Sequence, residues 1–198
     1  MGGLITIKAY TYKARFLDSP KVEFRLNPEF SLTEAKAQAS KYAKALGRIP
    51  KIFRARLNSF AIHKGSIAEG GHAGANFVRR SISINAGFGD ERFLDGNIEE
   101  LLIHEGTHVS LDLYHKNARE WICAENNDEK YISTYARDKP EEDFAESILP
   151  WLAVTYRSDR LKSGVAKTIQ KTMPNRMKYF DRKIRVKFVK QKQIWNAV

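Results

Sequence analysis

The chain is poor in cysteine, in long apolar runs and in low-complexity sequence, and each shortage removes a class of protein. Cys123 is the only cysteine in 198 residues. No internal disulfide can form, and a cysteine-based metal site is not expected. No apolar stretch approaches the ~20 residues that a membrane-spanning helix needs. Leu4–Ile7 is too short for the apolar region of a signal peptide, and no small-residue cleavage site follows it. The protein is therefore expected either to be cytoplasmic or to have lost a leader. With no repeat, biased tract or linker, one domain is expected over residues 1–198, and a monomer. Its parts would be N-terminal strands and a helix (1–96), central helices (97–156), and a C-terminal helix with a basic strand or tail (157–198).

What is present points to a globular protein. Apolar residues make up 42 % and aromatics 11 %, enough to build a core. The net charge is +11, and its distribution matters more than its total. Residues 90–146 hold sixteen acids against six Lys or Arg, a balance of −10, which leaves +21 for the rest. A basic protein invites a nucleic-acid reading. Solubility with a solvated basic face accounts for the charge as well, and the acidic middle would repel a polyanion.

The periodicities predict a mixed α+β domain. Leu4, Thr6, Lys8, Tyr10 and Tyr12 lie on one side of an extended segment, and Val22–Leu26 alternates with period two. Ser31 with Glu34 forms a capping box for a helix whose apolar face is Ala35, Ala39, Tyr42, Ala43 and Leu46, stopped by Gly47 and Pro50. Phe60–His63 and Ser81–Ile84 read as strands around a loop holding Gly70, Gly71 and Gly74, with Gly87 and Gly89 ending the second. Helices are expected from Asn97 to about His115, from Asp138–Pro140 to about Tyr156, and from Asp159 to Met173. Residues 176–192 carry eight Lys or Arg against one acid, and alternation of Ile184, Val186 and Phe188 suggests a basic strand.

The chemistry centres on His104-Glu105-Gly106-Thr107-His108, an HExxH pattern. Two histidines four apart share a helical face, so both imidazoles can bind one Zn²⁺. Glu105 points along the rim of that face and can take a proton from water at the metal's open position. Five His and fourteen Glu in 198 residues would produce the pattern by chance in roughly one such chain in a hundred, so context must support it. Leu101, Leu102 and Ile103 precede it, and the gap residues Gly106 and Thr107 are uncharged, as a packed helix side requires. Asp112, four residues past His108, can orient an imidazole from behind the metal.

A catalytic zinc needs a third protein ligand, and the run Glu141–Glu146 is the best supplier. Glu142 and Glu146 lie four apart on a helix whose Phe144, Ala145, Ile148, Leu149 and Leu152 face the core. One carboxylate can bind the metal while the other hydrogen-bonds a ligand histidine. An acidic, solvated helix start, favoured by the helix dipole, would look the same. Tyr135, just before this helix, can donate its hydroxyl to a developing oxyanion or can be a buried core tyrosine.

HExxH, followed by a Glu-x-x-Ala-Glu helix (Glu142–Glu146) with a tyrosine (Tyr135) seven residues before its first Glu, resembles the gluzincin peptidases of the anthrax lethal factor and Pro-Pro endopeptidase type. The resemblance covers about residues 98–150. It implies a zincin-like fold and one zinc bound by His104, His108 and Glu142. It further implies Glu105 as general base, Tyr135 as oxyanion donor and Glu146 behind the ligands. Residues 62–181 are also similar to a group of small predicted metallopeptidases with HExxHxSLD, Tyr-Ala-Arg and Glu-Asp-x-Ala-Glu segments, here His104–Asp112, Tyr135–Arg137 and Glu142–Glu146. Exported members in that group point toward secretion.

A zinc-dependent endopeptidase acting on a protein or peptide is thus expected. Ser81, Ile82, Ser83 and Ile84 would form an edge strand for an extended substrate, and Gly70, Gly71 and Gly74 a flap over it or an ordinary turn. His63, His72 and His115 are expected to be surface or structural histidines, and Trp121 and Trp151 core. Arg137 and Arg157 can anchor a substrate carboxylate or pair with the acidic middle. The rival readings are a basic nucleic-acid-binding module centred on Arg176–Lys192, and a zinc-containing peptide binder without catalysis. No helix-turn-helix glycine, zinc-finger spacing or aromatic RNA-binding pattern supports the first. Glu105 argues against the second, because a structural metal has no use for that base.

Overall fold

Alternation along residues 10–85 builds a sheet with one greasy face. The computed structural model describes residues 8–65 and 72–185, and it is a mixed α+β structure. The chain divides into two compact units, 1–110 and 111–198.

The first unit holds a five-stranded sheet in the order β1-β2-β3-β5-β4. The strands are β1 (Tyr10–Phe16), β2 (Ser19–Leu26), β3 (Ser59–His63), β4 (Ala73–Asn76) and β5 (Ser81–Asn85). β2, β3 and β5 run parallel, while β1 and β4 are antiparallel to their neighbours. Val22, Phe24, Leu26, Phe60, Ile62, Ile82 and Ile84 are buried on one face, each contributing about 1.5–3 kcal/mol when withdrawn from water. Helix α1 (Leu32–Arg48) makes the connection that the parallel pair β2–β3 requires. Its Ser31–Glu34 capping box forms as expected, and Tyr42 packs on Phe60 with ring centroids 5.2 Å apart. Ala45, rather than Ala43, is on its buried face, and Gly47 lies inside its last turn.

Two more helices complete this unit, α2 (Ala86–Leu94) and α3 (Ile98–Ser110). Gly87 and Gly89 sit inside α2 and do not merely end β5. A Cβ on Gly89 would fall 1.6 Å from the Tyr42 hydroxyl, so this glycine serves close packing. Gly106 does the same for α3, because a Cβ there would lie 2.3 Å from the Phe53 carbonyl oxygen.

The second unit is helical. It comprises α4 (Asp112–His115), α5 (Arg119–Asp128), α6 (Thr134–Asp138), α7 (Asp143–Tyr156), α8 (Val165–Thr172) and α9 (Pro174–Lys183). Its core is aromatic. Trp121 lies 4.7 Å from Phe144 and 5.2 Å from Phe180, and Trp151 is 5.3 Å from Phe180, centroid to centroid. Trp121 and Trp151 are buried, as expected.

Several expectations change. The first strand begins at Tyr10, and Leu4 and Thr6 lie outside the described residues. The helix expected to reach His115 breaks at Leu111, where φ is −119°. The helix expected from Asp138–Pro140 starts with a 3-10 turn, Pro140–Glu142. The helix expected from Asp159 is confined to Val165–Thr172, because Gly164 before it adopts φ 84°. The basic segment is not a strand as far as Lys183: Pro174 opens α9, and the spacing of Arg176, Phe180 and Ile184 buries one helical face. Val186 and Phe188 lie outside the described residues.

Candidate metal centre

The HExxH segment is helical throughout, so His104 and His108 stand one turn apart on α3. Their Nε2 atoms are 3.2 Å apart, and the rings meet edge to face with centroids 4.9 Å apart. Two nitrogens on one tetrahedral zinc, each at ~2.0–2.1 Å, stand ~3.3 Å from one another. Gly106 and Thr107 face inward, and Thr107 is wholly buried. Its hydroxyl donates to the Ile103 carbonyl at 2.7 Å, which satisfies it inside the helix. Packing of Gly106 on Phe53 therefore fixes the side of α3 opposite His104 and His108.

The four carboxylates of 141–146 have different surroundings. Glu141 is exposed. Glu142 ends the 3-10 turn and is the N-cap residue of α7. One ligand atom each of His104, His108 and Glu142 lie within 4.8 Å of one another, and all three residues are partly buried. Asp143 is fully buried against Arg176. Glu146 accepts a hydrogen bond from Ser133 Oγ at 2.7 Å. Ser133 is also the N-cap of α6, with its Oγ accepting from Ala136 N at 3.0 Å, so Glu146 steadies the short helix that carries Tyr135.

Tyr135 is not a core residue: it is 44 % exposed, with the Lys139 ammonium 5.4 Å from its ring centroid. Glu105 is buried at 7 % exposure. Asp112 opens α4, beyond the break at Leu111, with its carboxylate 3.9 Å from Lys116 Nζ.

The donor set fits zinc. Two imidazoles and one carboxylate are the ligands of one class of catalytic zinc site, and three protein ligands leave a position open for water or substrate.

Other expected site residues fall elsewhere. Ser81–Ile84 is not an edge strand: β5 pairs with β3 on one side and β4 on the other, so Ser81, Ile82, Ser83 and Ile84 have no backbone edge for a substrate. The edge belongs to β4. Gly70 and Gly71 lie outside the described residues, and Gly74 is within β4. His115 is structural, with Nδ1 2.7 Å from the Tyr179 hydroxyl and its ring stacked on Phe144. His72 stacks on Phe88. Arg137 and Arg157 pair with Asp138 and Asp159.

One group of residues had no signal in the sequence. Arg176 is completely buried. Its guanidinium donates to Asp128 Oδ2 at 3.0 Å, Asp143 Oδ1 at 2.5 Å, Ser147 Oγ at 3.4 Å and the Lys130 carbonyl. Asp128 also accepts from the backbone N–H groups of Asn175 and Arg176 at 2.8 and 3.0 Å, capping α9 from outside. The Glu125 carboxyl is pushed up to about 7, first by burial and then by the negative charge of Asp143, to which its protonated form hydrogen-bonds. In sequence Arg176 is one cation among eight, and nothing local marks it out.

Compared with family models, with curated proteins and with solved structures, the chain matches none.

Proposed function

We propose that the protein is a zinc-dependent endopeptidase of zincin-like design, with His104, His108 and Glu142 holding one zinc ion. The observation that carries this reading is the gathering of these three ligand atoms within 4.8 Å. The 3.2 Å separation of the two Nε2 atoms adds to it. When bound, zinc would supply a Lewis acid for the scissile carbonyl and lower the pKa of water.

The chain's own residues do the rest. Glu105 takes a proton from the attacking water and passes it to the leaving amine. Its burial keeps bulk water from competing for that position. The Tyr135 hydroxyl donates to the carbonyl oxygen as negative charge develops there; its exposure suits a group that must meet substrate. Glu146, through Ser133, steadies the helix from which Tyr135 projects. An extended substrate pairs with β4, whose outer edge has no partner strand among the described residues.

The test is cleavage of casein or a peptide library by the full chain, with and without a chelator, beside Glu105→Gln. Chelation should abolish cleavage. Glu105→Gln should keep the metal and lose ~10²–10⁴-fold in rate. Cleavage that survives in Glu105→Gln removes Glu105 as the base.

A further inference from the structure

The connection between β4 and β5 carries apolar and cationic residues where turns usually carry small polar ones. It reads Phe77-Val78-Arg79-Arg80, without the glycine, asparagine, aspartate or proline that turns favour for their backbone freedom or rigidity. Phe77 is 52 % exposed and Val78 76 %. Arg80 sits at φ 54°, a left-handed conformation unfavourable to any residue with a Cβ. The turn is nevertheless well anchored. Arg79 N donates to Asn76 Oδ1 at 2.8 Å, and the Arg80 carbonyl accepts from Asn58 N and Ser59 N at 2.8 and 3.3 Å. Two apolar side chains and two cations are thus held out in water on a fixed tip.

A second tip shares this end of the sheet. Because β2, β3 and β5 are parallel, the β1–β2 connection lies at the same end as the β4–β5 connection. Leu17 there is fully exposed, at 109 % of its reference area. Arg15 and Lys21 beside it are exposed. The acid of that turn, Asp18, is paired with Arg54 at 2.8 Å. With strands ~4.8 Å apart, the two tips stand roughly 14 Å from one another across the sheet. The β1–β2 hairpin overshoots the level at which Glu23, Ser59 and Ser81 align, so a plane touching both tips is inclined to the strands.

Apolar side chains ringed by cations suit a partner that is apolar within and anionic at its face. Duplex nucleic acid would satisfy the cations and leave Leu17, Phe77 and Val78 in water. We propose that this end of the sheet docks on an anionic phospholipid bilayer. Leu17, Phe77 and Val78 enter the boundary between headgroups and acyl chains, and Arg15, Lys21, Arg79 and Arg80 meet the headgroup phosphates. The contact is peripheral and independent of the metal centre.

The test is co-sedimentation of the full chain with phosphatidylcholine vesicles, with and without phosphatidylserine. Binding should require phosphatidylserine and weaken with salt. Phe77→Asp with Val78→Asp should weaken it by ~30-fold or more, and Arg79→Gln with Arg80→Gln by roughly 30-fold, each with an unchanged melting temperature. Phe77→Trp should bind and shift its emission to the blue on vesicle addition. Absence of vesicle binding, equal binding without phosphatidylserine, or full binding by the Phe77→Asp/Val78→Asp protein overturns the proposal. So does tighter binding to duplex DNA that the same variants abolish.

Discussion

Replacing Arg176 by Met should be among the most damaging single changes in the helical unit. The guanidinium is buried at 0 % exposure and holds Asp128 and Asp143, whose side chains are also wholly buried. Methionine fills much of the volume, so the loss is mainly electrostatic. Two carboxylates would remain in a dry interior with no counter-charge. Breaking one buried pair this way costs about 3–5 kcal/mol, and here one cation serves two acids. Against a total stability of roughly 5–15 kcal/mol, that is a large fraction. For a chain of this length each kcal/mol moves Tm by about 2–4 °C, so a fall of ~6–20 °C is expected by differential scanning calorimetry. Adding Asp143→Asn, which removes one stranded charge, should recover part of the loss. Asp143 directly follows Glu142, so zinc affinity should fall as well, with Glu142 losing the anchor of its neighbour. A Tm within ~2 °C of the parent would refute the reasoning, because it would mean that Asp128 and Asp143 take up protons or water without cost.

Three further outcomes are expected. Glu125 is pushed up to about 7 from an ordinary 4.5. Between these values the folded chain keeps a proton that the unfolded chain has lost, so this stabilisation is fully present below pH 4.5 and lost as pH rises through about 7. Glu125→Gln, which mimics the protonated acid, should flatten that fall in a urea-denaturation series; an unchanged pH slope would show that Glu125 titrates normally. Gly106→Ala should cost about 1–3 kcal/mol through overpacking against the Phe53 carbonyl and weaken metal binding by displacing α3; parent-like stability in chemical denaturation would contradict the tight approach. Tyr135→Phe should lower kcat by ~10²-fold while leaving metal content unchanged; an effect confined to KM would assign Tyr135 to substrate binding alone.

Much of the fold was legible because its signals are local. The Ser31–Glu34 box and the period-two burial of Val22, Phe24 and Leu26 are written in adjacent residues, and the structure bears both out. The packed side of α3 was legible too, from the uncharged pair Gly106-Thr107. What failed depended on partners distant in sequence. Ser81–Ile84 looks the same whether β4 covers its edge or not. Gly89 resembles a turn glycine until Tyr42 is placed over it. The basic run after Pro174 alternates like a strand around Ile184, but burial of Arg176, Tyr179 and Phe180 makes a helix of it. Arg176 itself was invisible, since its partners Asp128 and Asp143 lie 48 and 33 residues away.

The central claim is that three side chains share one zinc ion, and metal stoichiometry tests it most directly. The purified chain, loaded with zinc and dialysed, should retain one ion per molecule by atomic emission. His104→Ala, His108→Ala and Glu142→Ala should each lose it while keeping the parent's circular dichroism. Full zinc retention by any of these folded variants, or none by the parent, would contradict the account.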